Sequence, residues 1–245
     1  MAFANFGVSM DPISQGVLGA SFAQAAAKNK EKIVAAAWFG ALAGMAPDLD
    51  VLIQSPADPL LFLEFHRQFT HALIFIPIGA LLVAWPLFKL QVRFFQQYLS
   101  FRESYLFCLL GYATHGLLDA CTSYGTQLFW PFSDERFAWN NSSIVDPLFT
   151  IPLLVLVVLA GYKRRRGFAV AACLWALSYL SFGWVQMDRA IAAGHTVAAQ
   201  RGHVPQRLTV KPSFANLILW KVIYEFEEDY YVDAVRVFGQ GQWCA

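Results

Sequence analysis

Six apolar runs limit what this chain can fold into. They cover Ile13–Ala27, Ile33–Ala46, Ala72–Phe88, Tyr105–Ala120, Pro147–Tyr162 and Phe168–Met187. In hydrocarbon every backbone N–H and C=O needs a partner within the protein, and a helix supplies one for each group inside a single segment. Several runs fall short of the roughly 20 residues that a full span needs. The first two are therefore expected to be half-inserted or packed against their neighbours. Gly16, Gly19, Ala20, Ala23 and Ala27 recur three and four apart in the first run, a spacing that lets helix backbones approach closely. Composition agrees with a membrane setting. Of 245 residues 57% are hydrophobic and 14% charged, where a soluble domain carries roughly 25% charge. The expected fold is mainly α: a polytopic membrane bundle of about five to six apolar helices over residues 10–187. A small C-terminal α+β extramembrane region follows over 188–245.

Basic residues orient the runs. Lys28, Lys30 and Lys32 follow the first; Lys89, Arg93 and Arg102 lie between the third and fourth; Lys163 to Arg166 separate the last two. The positive-inside tendency makes these three loops cytoplasmic. The loops around 47–70 and 121–146, and everything after about residue 188, then belong on the opposite side.

That topology gathers ionisable groups at one surface. Asp48 and Asp50 end the second run, His71 opens the third, and His115 and Asp119 close the fourth, with His66 and Arg67 in the loop before the third. Asp146 precedes the fifth run and reads equally as a last ligand or as a helix N-cap. Charges at such positions are costly unless they pair, face a cavity or bind something. Carboxylates and imidazoles are also ligands for divalent metals.

His115 and Asp119, four residues apart, share a helix face, as a ligand pair or as a His–Asp pair that only stabilises a helix end. Asp48 and Asp50 follow a helix C-terminus, the wrong end for anions because the dipole is negative there. They require a cation or strong donors, or else they cap the next segment or pair with Arg67. His66 and His71, five apart, would point roughly 140° from each other on one helix. Thr70 is expected to be an N-cap, with His71 in the first turn after it and His66 reaching back from the loop. Arg67 is a candidate for holding an anionic substrate group, a lipid headgroup contact or a loop ion pair.

The remaining features narrow the function classes. A net charge of +1 offers no basic face for nucleic acid. Cys108, Cys121, Cys173 and Cys244 lack metal or redox spacing, and no disulfide framework is indicated. No nucleophile elbow, P-loop or dinucleotide fingerprint occurs. Asp188 to His203 reads as a polar helix in which His195 and His203 are solvent-exposed. The stretch from Arg207 onward, rich in β-branched and aromatic residues around Glu227-Glu228-Asp229, reads as a hairpin or small sheet. The opening residues lack the basic region of a signal peptide, and Met10 is expected to be the true start. The end at Gly-Gln-Trp-Cys-Ala is expected to be a truncation.

MDPISQGVLGA, APDLD, HRQFTH, HGLLDACTSYGTQLFWP and IVDPLF, in this order, resemble the YdjM/YbcI-type family of membrane-bound metal-dependent hydrolases over roughly residues 10–190. The tail PSFANLILWKVIYEFEEDYYVDAV is similar to an extension in some members. The resemblance implies an inner-membrane protein with a metal site formed by Asp48, Asp50, His66, His71, His115 and Asp119. The first motif often carries His where this chain has Gln15, a poor metal ligand, which puts in question a contribution from that helix.

The reading that follows is a metal-dependent hydrolase at the non-cytoplasmic face of the inner membrane. His71, His115, Asp119 and Asp48 would hold the ion, while Asp50 and His66 complete a second site or act as base. Mixed N/O ligation suits zinc, with manganese or iron as alternatives. Headgroup depth favours membrane lipids or a lipid-linked phosphoester as substrate. The alternative is a non-catalytic membrane protein with a structural metal or polar network and a partner-recruiting tail. An ion or proton carrier fits less well, because the ionisable groups gather at one face.

Overall fold

The computed structural model describes residues 11–55, 57–58, 60–94 and 99–238. Met10 and the C-terminal Cys244 lie outside the described residues. Helices form at all six apolar runs: α1 Pro12–Ala26, α2 Ile33–Met45, α4 Ile76–Phe94, α5 Phe101–Ala120, α6 Pro147–Lys163 and α7 Arg166–Gln200. A short α3, Leu61–Phe65, lies between α2 and α4, and three strands follow α7.

The two earliest runs are packed against their neighbours. Asp11 caps α1, its carboxylate accepting from the Ile13 N–H at 3.1 Å, and Pro12 fills the first helical position, where no N–H is needed. The small residues then let three backbones meet. A Cβ added at Gly19 would lie 2.5 Å from the Gly40 carbonyl oxygen, and one added at Gly111 would strike the backbone of Gly40. α1, α2 and α5 therefore cross in direct main-chain contact, as small-residue stripes allow. α1 sits at the centre of the bundle, touching α2, α5, α6 and α7. Its polar residues Ser14, Gln15, Ser21 and Gln24 are buried, and the Gln24 amide donates to the Val157 carbonyl at 3.2 Å.

The outer helices present the opposite pattern. Ile78, Leu82 and Trp85 on α4, and Ile151, Val155 and Val158 on α6, are all at least half exposed at helical spacing. Contiguous exposed apolar stripes suit lipid and not water. Two segments, Leu73–Arg93 and Arg166–Gln200, are long and apolar enough to cross a membrane, and Pro147–Lys163 is apolar but shorter. Asp146 proves to be the N-cap of α6: it accepts from the Leu148 N–H at 3.0 Å and from the Tyr179 hydroxyl.

α7 departs from expectation. It runs through Met187 and Asp188 unbroken, so the polar stretch is the continuation of one helix. β1 (Arg207–Pro212), β2 (Leu219–Phe226) and β3 (Asp229–Arg236) form an antiparallel sheet in that order. Val210, Trp220, Val222, Tyr224 and Val235 are buried on the side that packs on α7, where a Cβ at Gly194 would lie 2.8 Å from Val222. The β2–β3 turn holds Glu227 and Glu228 at φ 51° and 75°, the left-handed pair that matches the twist of a two-residue hairpin. Arg201 ties the end of α7 to β3 through a two-armed ion pair with Asp233, both arms 2.7 Å. His203, expected in solvent, is half-buried and stacks on Phe226 at 4.3 Å between ring centres.

Candidate metal centre

The crossing of α1, α2 and α5 positions the chemistry. Just past it, α2 gives way to a 3-10 turn, Ala46–Leu52, that carries Asp48 and Asp50. A second 3-10 turn, Phe69–His71, carries His71 ahead of α4. His115 and Asp119 come from the last turns of α5, and Gln15 from the first turn of α1. All four elements end at one end of the bundle.

Asp48, His71, His115 and Asp119 each turn one ligand atom inward, all within 4.8 Å of one another. His71 Nε2 is 2.9 Å from His115 Nε2, 3.2 Å from Asp119 Oδ2 and 3.6 Å from Asp48 Oδ1. His115 Nε2 is 3.4 Å from Asp48 Oδ1 and 3.7 Å from Asp119 Oδ2. These separations bracket the roughly 3.3 Å edge of a tetrahedron whose metal–ligand bonds are about 2.0 Å.

The hydrogen bonds behind the ligands assign the tautomers. His115 Nδ1 faces the Gly44 carbonyl at 2.5 Å. A carbonyl can only accept, so Nδ1 carries the proton and Nε2 keeps its lone pair. Thr70 donates its hydroxyl to Asp50 Oδ2 at 3.1 Å and lies 2.9 Å from His71 Nδ1. With its proton committed to Asp50, the hydroxyl accepts from His71 Nδ1–H, which again leaves Nε2 bare. Carbonyl and carboxylate partners on the far ring nitrogen are the usual means of orienting metal-binding imidazoles. Two lone-pair nitrogens and two carboxylates thus converge on one point. Asp48 Oδ1 and Oδ2 are buried with no hydrogen-bond donor, a costly state for an anion unless a cation compensates; Asp119 Oδ2 also lacks an aligned donor, although the Arg67 guanidinium lies 3.1 Å from it.

Electrostatics point the same way. Burial alone would raise the Asp48 carboxyl, but the His115 and His71 imidazoles hold it well below the usual carboxylate range. Burial would lower His71, yet Asp119 and Asp48 carry it up to about 9, so below that pH a proton competes with a metal ion for Nε2. The pocket favours positive charge.

The structure separates the sequence candidates into two groups. Asp48, His71, His115 and Asp119 come together. Asp50 and His66 stand behind them: Asp50 Oδ1 faces His66 Nδ1 at 2.9 Å, and Oδ2 accepts from the Arg67 N–H at 2.9 Å as well as from Thr70. Thr70 is thus no N-cap. It lies inside the Phe69–His71 turn and bridges Asp50 to His71, while α4 starts only at Ile76. Arg67 is fully buried, its Nε 3.1 Å from Asp119 Oδ2 and its guanidinium 4.8 Å from the centre of the Tyr124 ring.

Sequence reasoning undervalued Gln15, which no metal would choose but which donates to Asp119 Oδ1 at 2.8 Å and so aims Oδ2 at the cluster. An uncharged polar residue among Gly and Ala was its signal. Arg136, which ties the His66 and Leu63 carbonyls from the far loop at 3.1 Å each, carried no signal in the sequence.

Fold and site together define a helical membrane protein with a buried His/Asp cluster able to hold a metal ion. The sequence model of the YdjM inner membrane protein family matches residues 10–190, and the chain belongs to that family. It is 34% identical over 100 residues to the inner membrane protein YbcI of Escherichia coli (strain K12), covering 40% of this chain and 54% of YbcI. It is 27% identical over 119 residues to the uncharacterized protein YfhP of Bacillus subtilis (strain 168), covering 48% of this chain and 35% of YfhP. The chain thus spans only a third to about a half of the curated relatives it matches. No solved structure matches it.

Proposed function

We propose that the protein is a multi-pass, metal-dependent hydrolase of the inner membrane, with its site and C-terminal sheet on the non-cytoplasmic side. The observation that carries the reading is the convergence of one ligand atom each from Asp48, His71, His115 and Asp119 within 4.8 Å of one another, with both Asp48 oxygens and Asp119 Oδ2 lacking a hydrogen-bond donor. Asp48, His71, His115 and Asp119 would hold the ion, and zinc suits that N/O set, with manganese or iron as alternatives. A divalent ion supplies Lewis acidity there, activating water and polarising an acyl or phosphoryl oxygen. His66, oriented through Nδ1 by Asp50, has its ring centre 6.2 Å from that of His71. It is the group suited to take a proton as general base. A second ion at Asp50 and His66 is disfavoured, because Asp50 already serves His66, the Arg67 N–H and Thr70. The position of the cluster at one end of an apolar bundle favours a lipid or lipid-linked phosphoester as substrate.

The full chain, purified in detergent and loaded with zinc, is expected to hydrolyse lipid phosphoesters, to stop on chelation and to resume on re-addition of metal. Stoichiometric metal without turnover of any lipid phosphoester would leave a structural metal site and sink the hydrolase. The topology has its own check. A reporter fused after Arg166 is expected to be cytoplasmic, and one inserted at Asp58, in the loop before α3, is not. The same compartment for both would overturn the sidedness.

A further inference from the structure

Arg67 is the largest charged side chain to be wholly buried among the described residues, and its position is enforced. Its backbone takes φ 60°, a left-handed conformation that is strained for a non-glycine residue. Two main-chain bonds hold it there: its N–H donates to Asp50 Oδ2 at 2.9 Å, and its carbonyl accepts from the Gln127 N–H at 3.0 Å. Tyr124 covers one face of the guanidinium, and Nη1 donates to the Thr122 hydroxyl at 3.3 Å.

The remaining donors are informative. Nε and Nη2 lie on one edge of the planar guanidinium, the edge that grips two oxygens of an oxyanion at once. Both are buried and neither makes a hydrogen bond. Nε is only 3.1 Å from Asp119 Oδ2, so this edge faces the atom that also faces His71 and His115. Yet the carboxylate is not aligned to accept from either nitrogen. Asp119 gives Oδ1 to Gln15 and turns Oδ2 toward the imidazoles. An arginine serving only to neutralise Asp119 would have spent its fork on that carboxylate. Leaving a buried charged donor pair unmatched is expensive unless a ligand completes it.

We propose that the Nε/Nη2 fork of Arg67 is an oxyanion subsite that binds the non-bridging oxygens of a phosphoryl group beside the Asp48–His71–His115–Asp119 cluster. This rests on the metal-site reading and adds to it the residue that selects a phosphoryl group. The fork would hold the group while the cluster polarises it, and Thr122 and Tyr124 keep the guanidinium planar to the incoming oxygens. Phosphate of a lipid headgroup and free phosphate share this chemistry.

The test uses the full chain in detergent with zinc, its metal content measured in every sample. Inorganic phosphate, acetate, and vesicles of phosphatidylcholine with or without phosphatidic acid are titrated by calorimetry. Wild type is expected to bind inorganic phosphate, phosphatidic acid or both, and not acetate. Arg67→Lys keeps the charge and loses the fork, and it is expected to weaken phosphate binding at least roughly tenfold with zinc content unchanged. Binding of inorganic phosphate identifies a soluble source, and binding of phosphatidic acid alone a headgroup. Should Arg67→Lys fail to fold, Thr122→Val removes the Nη1 anchor and is expected to weaken phosphate several-fold. Equal binding by wild type and the folded variant, equal affinity for acetate, or no phosphate binding by zinc-loaded wild type overturns the subsite alone. A wild type that takes up no metal overturns the metal centre beneath it.

Discussion

His115→Ala and Asp48→Ala are each expected to abolish stoichiometric metal, lowering affinity by at least roughly 100-fold. The reason lies in the tautomers. Each removes one of four atoms that face one another without a proton between them, and three remaining ligands cannot complete a closed tetrahedral site. Asp50→Asn should act more gently, by roughly 10- to 100-fold, because Asp50 touches no inward ligand atom and works through Thr70 and the His71 ring. His203→Ala, in the aromatic stack on the sheet, should leave metal content untouched. Elemental analysis of purified proteins, with melting temperatures measured alongside, reads the series. Metal retained in both ligand variants, or lost equally in His203→Ala, would remove the case for this centre.

Gly111→Ala is expected to destabilise the bundle by about 3 kcal/mol, although it adds a single methyl group. The new Cβ would run into the main chain of Gly40, and a helix backbone yields less readily than a side chain. The contrast is Gly167→Ala, where nothing lies within 4 Å of the added atom. That change should be neutral or stabilising by up to roughly 1 kcal/mol, the helix preference of alanine over glycine. Unfolding in detergent compares the two. Equal effects would mean that the three helices do not meet at Gly19, Gly40 and Gly111. Because the Gly44 carbonyl that orients His115 lies one turn beyond Gly40, Gly111→Ala should also weaken metal binding.

The helices were legible because apolar runs and basic connections announce themselves without tertiary context. An Asp-Pro pair marks the cap at Asp11, whereas Asp146 reads equally as a ligand or a cap until its bonds to the Leu148 N–H and the Tyr179 hydroxyl are seen. The cluster was legible as a set of misplaced charges, since any carboxylate at the end of an apolar run needs a reason. What the residues could not reveal was how Asp50 and His66 attach to the other four. Asp48 and Asp50 are two apart in a 3-10 turn, and that turn sends one carboxylate to the imidazoles and the other to the loop carrying His66 and Arg67. The role of Thr70 depended on the same turn. α7 was misread at Met187 because composition changes there while helix propensity does not. The alanines from Ala190 to Ala199 continue the helix readily, and Gly194 and Val197 give the sheet a face to sit on.

That unbroken helix sets a height. Its 35 residues span roughly 52 Å at 1.5 Å per residue, against a hydrocarbon core of about 30 Å. On the proposed topology the surplus would stand in water as a rigid post, with the three strands bolted to it through Gly194 and the Arg201–Asp233 clamp. Without a hinge between the membrane helix and the sheet, the sheet cannot swing down to the lipid surface or drift away from it. Anything that docked on the sheet would then be held at one fixed clearance above the bilayer, and that clearance would limit how bulky a molecule can pass between them.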